Sequence, residues 1–174
     1  MSVPADTPRV AECYRQHSQD LWAFFYRLCS DPERAWEAVH EAFLRLQGPA
    51  AQNVRDERAW LAHVGRNWLR DFARRRQNSE ATADSLAGVP AATLDPAGTV
   101  AQAELREQVD QALGMLRSDD REILLLRYAL NWSSSRMAEV LGIQVAAIDM
   151  RLMRARQRMA VALEKLGVNA ESVQ

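Results

Sequence analysis

Apolar residues recur every three or four positions along most of the chain, and no segment alternates apolar and polar residues over the length of a strand. The pattern predicts an all-α fold. In "DPERAWEAVHEAFLRLQ", Asp31 is placed to cap a helix and Pro32 to occupy its first turn. Ala35, Ala38, Val39, Ala42, Phe43 and Leu46 then form one buried stripe. Glu33, Glu37 and Glu41 fall four apart on the other side, with His40 beside them. Like charges at that spacing cost an isolated helix roughly a few tenths of a kcal/mol per pair, so Arg34 and Arg45 offset them, a basic partner meets them, or the face is simply solvated. The next periodic segment is "AWLAHVGRNWLRDFARRRQ". Its spacing sends Leu61, Val64, Trp68 and Phe72 inward and leaves Arg66, Arg70 and Arg74 in an exposed row. Asn67 and Asp71 make a second polar row, with Asp71 placed to pair with Arg75.

In the second half, "LREQVDQALGMLRSDDREILLLRYAL" predicts two packing helices through Leu105, Val109, Leu113 and Leu116, then Ile123, Leu124, Arg127 and Tyr128. "WSSSRMAEVLGIQVAAIDMRLMRARQRM" follows. Ser133 or Ser134 can cap a short helix with Met137, Val140 and Leu141 inside, and Gly142 supplies the positive φ of a sharp turn. Ile143 fills the corner, and a second helix starts near Gln144 or Val145. Val145, Ile148, Leu152, Ala155 and Met159 are expected inside that helix, with Asp149, Met150, Arg151, Arg154 and Arg158 outside. Small Ala138, Gly142 four later and Ile148 six after that give the helix-turn-helix pattern, whose second helix enters the DNA major groove.

Between the two halves, residues 78–103 are rich in Ala, Ser, Thr, Gly and Pro and read as a flexible linker. The chain is therefore expected to hold two small helical domains, 10–77 and 104–168. Taut, the linker reaches roughly 90 Å; as a relaxed coil it spans about 28 Å. The alternative is that it packs as a short helix and the protein is compact when alone.

Composition sharpens this less than distribution does. The 174 residues hold 22 Lys and Arg against 23 Asp and Glu, so any basic surface is local. Five arginines between 66 and 76 exceed what complementing a helix dipole requires. Beside them, Trp60, if exposed, could stack on an unpaired base for about 1–3 kcal/mol. No apolar run approaches the roughly 20 residues of a membrane span, and "MSVPADTPRV" lacks a signal-peptide core, so a cytoplasmic location without membrane insertion is expected. Cys13 and Cys29 lack the spacing of a zinc site or disulfide framework. "HEAF" begins like a helical zinc motif but carries Leu44 at the second ligand position. Neither a metal, a cofactor nor a catalytic set of nucleophile, base and orienting acid is expected.

Both halves, in this order, resemble a bacterial sigma-70 family sigma factor of the extracytoplasmic-function (ECF) group. "AWEAVHEAFLRL" is similar to the region 2.2 helix, "RAWLAHVGRNWLRDFARRR" to the region 2.3–2.4 helix, and "LRSDDREILLLRYALNWSSSRMAEVLGIQVAAIDMRLMRARQRM" to region 4. The resemblance implies a non-catalytic protein that binds core RNA polymerase, directs it to promoter DNA, helps open the duplex and is held inactive by an anti-sigma partner. It places Glu37, His40 and Glu41 on the face that docks on polymerase. It makes Gln52 and Asn53 candidates for reading a flipped minus-ten base, and Trp60, Arg66, Asn67, Arg70, Arg74 and Arg75 candidates for tracking the opened strand. In region 4 it turns Gln144, Ala147, Asp149, Met150, Arg151 and Arg154 to the minus-thirty-five element, where an arginine can grip guanine bidentately. The two promoter elements lie roughly 70 Å apart, two turns at 34–36 Å. The taut linker covers that distance and the relaxed one does not, so polymerase would be the scaffold.

The sequence departs from the family pattern at several positions. His40 replaces the usual Gln and Glu37 the usual Asp. Arg136 sits where an acid is typical, and Ala147 replaces a common Thr. Asp149 lies where a basic residue often meets DNA: it either reads a cytosine or weakens minus-thirty-five binding, and Arg151 or Arg136 could neutralise it. Two rival readings remain, a dimeric helix-turn-helix repressor and a polymerase- or anti-sigma-binding decoy without promoter recognition.

Overall fold

A computed structural model describes residues 7–51, 54–79 and 100–168, and apart from one 3-10 turn at Pro49–Ala51 every regular element among them is an α-helix. Gln52, Asn53 and residues 80–99, which make up most of the linker expected at 78–103, lie outside those residues, and the described remainder of that segment, 78–79 and 100–103, is helical. Two compact units divide the chain, 1–86 and 87–174. None of the described helices is long and apolar enough to cross a membrane.

The first unit is built from α1 (Thr7–Cys29), α2 (Pro32–Leu46) and α3 (Glu57–Ser79), each packed on the other two. Between α1 and α2 the chain turns in two residues: Ser30 takes a positive φ of 55° and Asp31 begins the next helix. The Asp31 carboxylate accepts from the Glu33 and Arg34 amides, both at 3.1 Å, satisfying two donors that the helix itself leaves open. All six residues of the expected α2 stripe are buried. They meet Leu21, Phe24 and Phe25 of α1 and Leu61, Ala62 and Leu69 of α3 in one core. Each fully buried large apolar side chain there is worth about 1.5–3 kcal/mol. At Gly65 α3 lies close against α1, for a Cβ there would lie 2.2 Å from Phe25 Cζ.

Three expectations for this unit need correction. Arg66 is not in an exposed row: it is only 2% exposed. Ala62, Arg66 and Leu69 are spaced i, i+4, i+7, and because α3 packs on both α1 and α2 it buries this second line as well as the first. Trp68 and Phe72, expected inside, are half-buried. Asp71 pairs through its side chain with Arg74 at 3.3 Å, while Arg75 donates instead to the Asp71 carbonyl at 3.3 Å.

The second unit contains α4 (Val100–Met115), α5 (Ser118–Tyr128), α6 (Ser134–Leu141) and α7 (Val145–Lys165), and α7 packs on the other three. Its core holds Ala112, Leu113, Leu116, Ile123, Leu124, Leu126, Met137, Ile148, Leu152 and Ala155. Arg121 closes the end of α4 by donating to the carbonyls of Leu113 (2.8 Å), Gly114 (3.0 Å) and Leu116 (3.3 Å), where the Leu113 carbonyl also accepts the Leu116 amide at 3.2 Å. Ser133 caps α6 through the Arg136 amide at 3.2 Å. Gly142 then adopts φ 67°, ψ 32° and donates to the Ala138 carbonyl, stopping α6 and turning the chain into α7. Val145 is 43% exposed and Tyr128 64% exposed, against expectation. Val145 is the first residue of α7 and lies beyond the corner, so Ile148, a turn later, is the first to reach the core.

Candidate functional site

The outward face of α2 carries Glu37 and His40, both exposed, with Glu41 half-buried beside them. Of the two arginines that could offset this acidity, Arg45 does so, holding Glu41 at 2.8 Å. Arg34 is directed elsewhere: it binds Asp31 at 2.7 Å and lies 4.1 Å over the Phe72 ring. Glu37 is left without an ion pair among the described residues, so the face stays acidic. The His40 ring stacks on Trp36 with centroids 5.9 Å apart, and Trp36 sits 5.9 Å from Trp22. Trp22 in turn stacks on Tyr26 at 5.2 Å and donates its indole N–H to the Pro32 carbonyl. One residue the sequence reading missed belongs here. Leu44, two turns from Glu37 and one from Glu41, is 63% exposed. Its signal was its absence from the buried stripe.

On α3 the side chains of Arg70, Arg74, Arg75 and Arg76 are exposed, with Asp71 the one acid in their row. Arg66 works from beneath. Its Nη1 donates to Asn67 Oδ1 at 2.9 Å, and Asn67 Nδ2 lies 2.9 Å from His63 Nε2. A guanidinium only donates, so the amide oxygen faces Arg66 and the amide nitrogen faces His63; His63 Nε2 must therefore be the acceptor, with the ring proton on Nδ1. Asn67 is thus held half-buried between two neighbours rather than hanging free. Trp60 is half-buried as well, so it does not offer a fully open ring to a base. Gln52 and Asn53 lie outside the described residues.

In the helix-turn-helix, α7 presents Asp149, Met150, Arg151 and Arg154 to solvent, with Gln144 exposed at the cap position and Ala147 half-buried. The arginines of α7 separate into two groups. Arg156 donates to the Tyr128 hydroxyl at 2.8 Å, and Arg158 is paired with Asp120 of α5, so both are spent on holding α7 to α5. Arg151 and Arg154 face no acid among the described residues. Asp149 does not pair with either arginine proposed to neutralise it: its Oδ1 accepts from the Ser134 hydroxyl at 2.7 Å. The Arg136 guanidinium lies 5.0 Å over the Trp132 ring. Ser134 is the second residue that sequence reading passed over as functional.

Chemically reactive groups are scarce. Burial, with a hydrogen bond to Glu57, pushes the Cys13 thiol up to about 12, and burial also raises Cys29, so neither is a ready nucleophile. Among the described residues no three His, Cys, Asp or Glu side chains are grouped to hold a metal ion.

Residues 13–79, which span most of the first unit, match the family described as Sigma-70 region 2, and residues 106–159 match Sigma-70, region 4. The ECF RNA polymerase sigma factor SigL of Mycobacterium tuberculosis is 29% identical over 96% of both chains. The ECF RNA polymerase sigma factor EcfG of Rhodopseudomonas palustris is 33% identical over 82% of this chain and 78% of its own. Among solved structures, the sigma factor RpoE in complex with the anti-sigma factor NepR, from Bartonella quintana, aligns with a TM-score of 0.67 at 25% identity over 88% of this chain and 96% of that one. With an acidic face and a cationic row in one helical unit, a helix-turn-helix in the other, and matches to both regions in that order, the chain belongs to the ECF group of sigma-70 family RNA polymerase sigma factors.

Proposed function

We propose that residues 10–77 dock on core RNA polymerase and engage the minus-ten element, that residues 104–168 engage the minus-thirty-five element, and that residues 78–103 tether the two. Glu37, His40 and Glu41 of α2 meet a basic surface of polymerase, with Leu44 supplying the apolar contact that a charged patch alone lacks. Arg70, Arg74 and Arg75 follow the phosphates of the opened strand. Asn67 contributes only along the edge it leaves open, and Arg66 serves by orienting it from the core rather than by touching DNA. Gln52 and Asn53 remain the candidates for receiving the flipped base, with Trp60 flanking the path. On α7, Arg151 and Arg154 contact the major groove, with Gln144, Ala147, Asp149 and Met150 beside them. The protein performs no catalysis of its own and works in the cytoplasm, where an anti-sigma factor masks these surfaces until it is released.

The observation that carries the reading is the separation of charge within α2 and α3. One helix exposes carboxylates and the next exposes arginines, which suits a subunit that must hold a protein on one side and a nucleic acid on another. A repressor working alone would leave the α2 face without a use. The test is reconstitution: core polymerase supplied with this chain should give promoter-dependent run-off transcripts that core polymerase alone does not. Co-purification with polymerase without transcripts would instead indicate a decoy, and binding to palindromic duplex without polymerase a repressor.

A further inference from the structure

We infer that Asp149 selects a cytosine in the minus-thirty-five element and that Ser134 is the residue that positions it, an inference that rests on the region 4 reading above. A carboxylate on the DNA side of a recognition helix is repelled by phosphates, so its presence there needs a reason. Asp149 is exposed on the same outward surface as Met150 and one turn into α7. Its Oδ1 accepts from Ser134 Oγ at 2.7 Å. Ser134 opens α6 immediately after the cap residue Ser133, so the carboxylate is tied to the positive end of the α6 dipole. The tie is a hydroxyl, not a cation. It restrains the side chain and leaves the second oxygen, Oδ2, as an un-neutralised acceptor.

An ionised carboxylate can only accept. In the major groove, cytosine N4 and adenine N6 donate, but adenine sets the acceptor N7 beside its amino group, which a carboxylate would oppose. Cytosine presents its amino group without that neighbour. A carboxylate held in one orientation before binding loses little freedom on meeting the base, which converts the contact into discrimination. A brace that merely set the angle between α6 and α7 would make the same bond to Ser134 but would read no base. The variant Asp149→Asn separates these roles: its amide oxygen can still accept from Ser134, whereas its added N–H donor suits the N6 and N7 edge of adenine.

The experiment uses holoenzyme assembled from core RNA polymerase and the full chain, transcribing a pool of templates randomised across both promoter elements, with the productive templates sequenced. The wild type is expected to favour cytosine at one upstream position. Asp149→Ala should reduce that preference about fivefold or more while leaving the other positions unchanged. Asp149→Asn should move the preference toward adenine, and Ser134→Ala should keep cytosine first while narrowing its lead. If Asp149→Ala and Asp149→Asn retain the wild-type base preference at every position, whatever happens to total output, direct reading is wrong. If Ser134→Ala leaves the lead of cytosine undiminished, the positioning role is wrong. A wild type that selects minus-ten sequences but none upstream overturns this inference alone, whereas one that selects no promoter overturns the sigma factor reading with it.

Discussion

Asp31 begins α2, and with it the face proposed to dock on polymerase. Burial alone would raise its carboxyl, but hydrogen bonds from the Arg34 amide and guanidinium, the Arg34 charge and the Glu33 amide together hold it below the ordinary 3.8. A carboxyl held low in the folded state adds stability that is complete above its unfolded pKa and fades as pH falls through the folded one. Asp31→Ala is therefore expected to destabilise the first unit by about 1 kcal/mol near neutral pH, the usual worth of a cap. That difference should shrink and vanish well below pH 4, and hydrogen exchange of the α2 amides would follow it. The cap and the stripe behind it were legible because both are local: a capping residue next to Pro32 and a period that returns each apolar residue to one side. Arg66 was not legible in the same way. Its charge argued for the surface, and only the flanking Ala62 and Leu69 marked its line as buried. The Ser134–Asp149 bond joins residues 15 apart on two helices, so no spacing rule within either helix could announce it.

At the scale of the element, α3 shows a local preference overruled by packing. Alanine in place of a mid-helix glycine ordinarily stabilises a helix by about 1 kcal/mol. At Gly65 the added methyl would fall 2.2 Å from the Phe25 ring, and Phe25 is fully buried, so any shift of the ring must push on its packed neighbours. Gly65→Ala is therefore expected to destabilise the first unit by about 1–3 kcal/mol, as overpacking does. Chemical denaturation would measure it, and a stabilised variant would show that α1 and α3 do not meet this closely. The same sequence pattern that placed α6, the turn at Gly142 and the start of α7 failed at Val145 and Tyr128. Hydrophobic character states what a residue can bury, while the position of a helix end decides whether there is anything to bury it against. Arg156 and Arg158 were similarly indistinguishable in sequence from Arg151 and Arg154. What separates them is α5, which supplies Tyr128 and Asp120 to one side of α7.

For the whole molecule, a net charge of −1 conceals two opposed surfaces. The acidic face of α2 and the arginines at the end of α3 belong to one small bundle, and a second unit carries the helix-turn-helix of α6 and α7. That division was readable from the sequence because each unit has its own helical periods and its own run of charge. The most direct measurement compares two double charge reversals in one reconstituted system, scoring co-purification with core RNA polymerase and run-off transcription together. Glu37→Lys with Glu41→Lys should lose polymerase binding and transcripts alike. Arg70→Glu with Arg74→Glu should keep polymerase binding while transcripts fall about tenfold or more, a loss of about 1.4 kcal/mol or more. If both double variants bind polymerase and start transcription as the wild type does, the two faces do not do what their charges suggest.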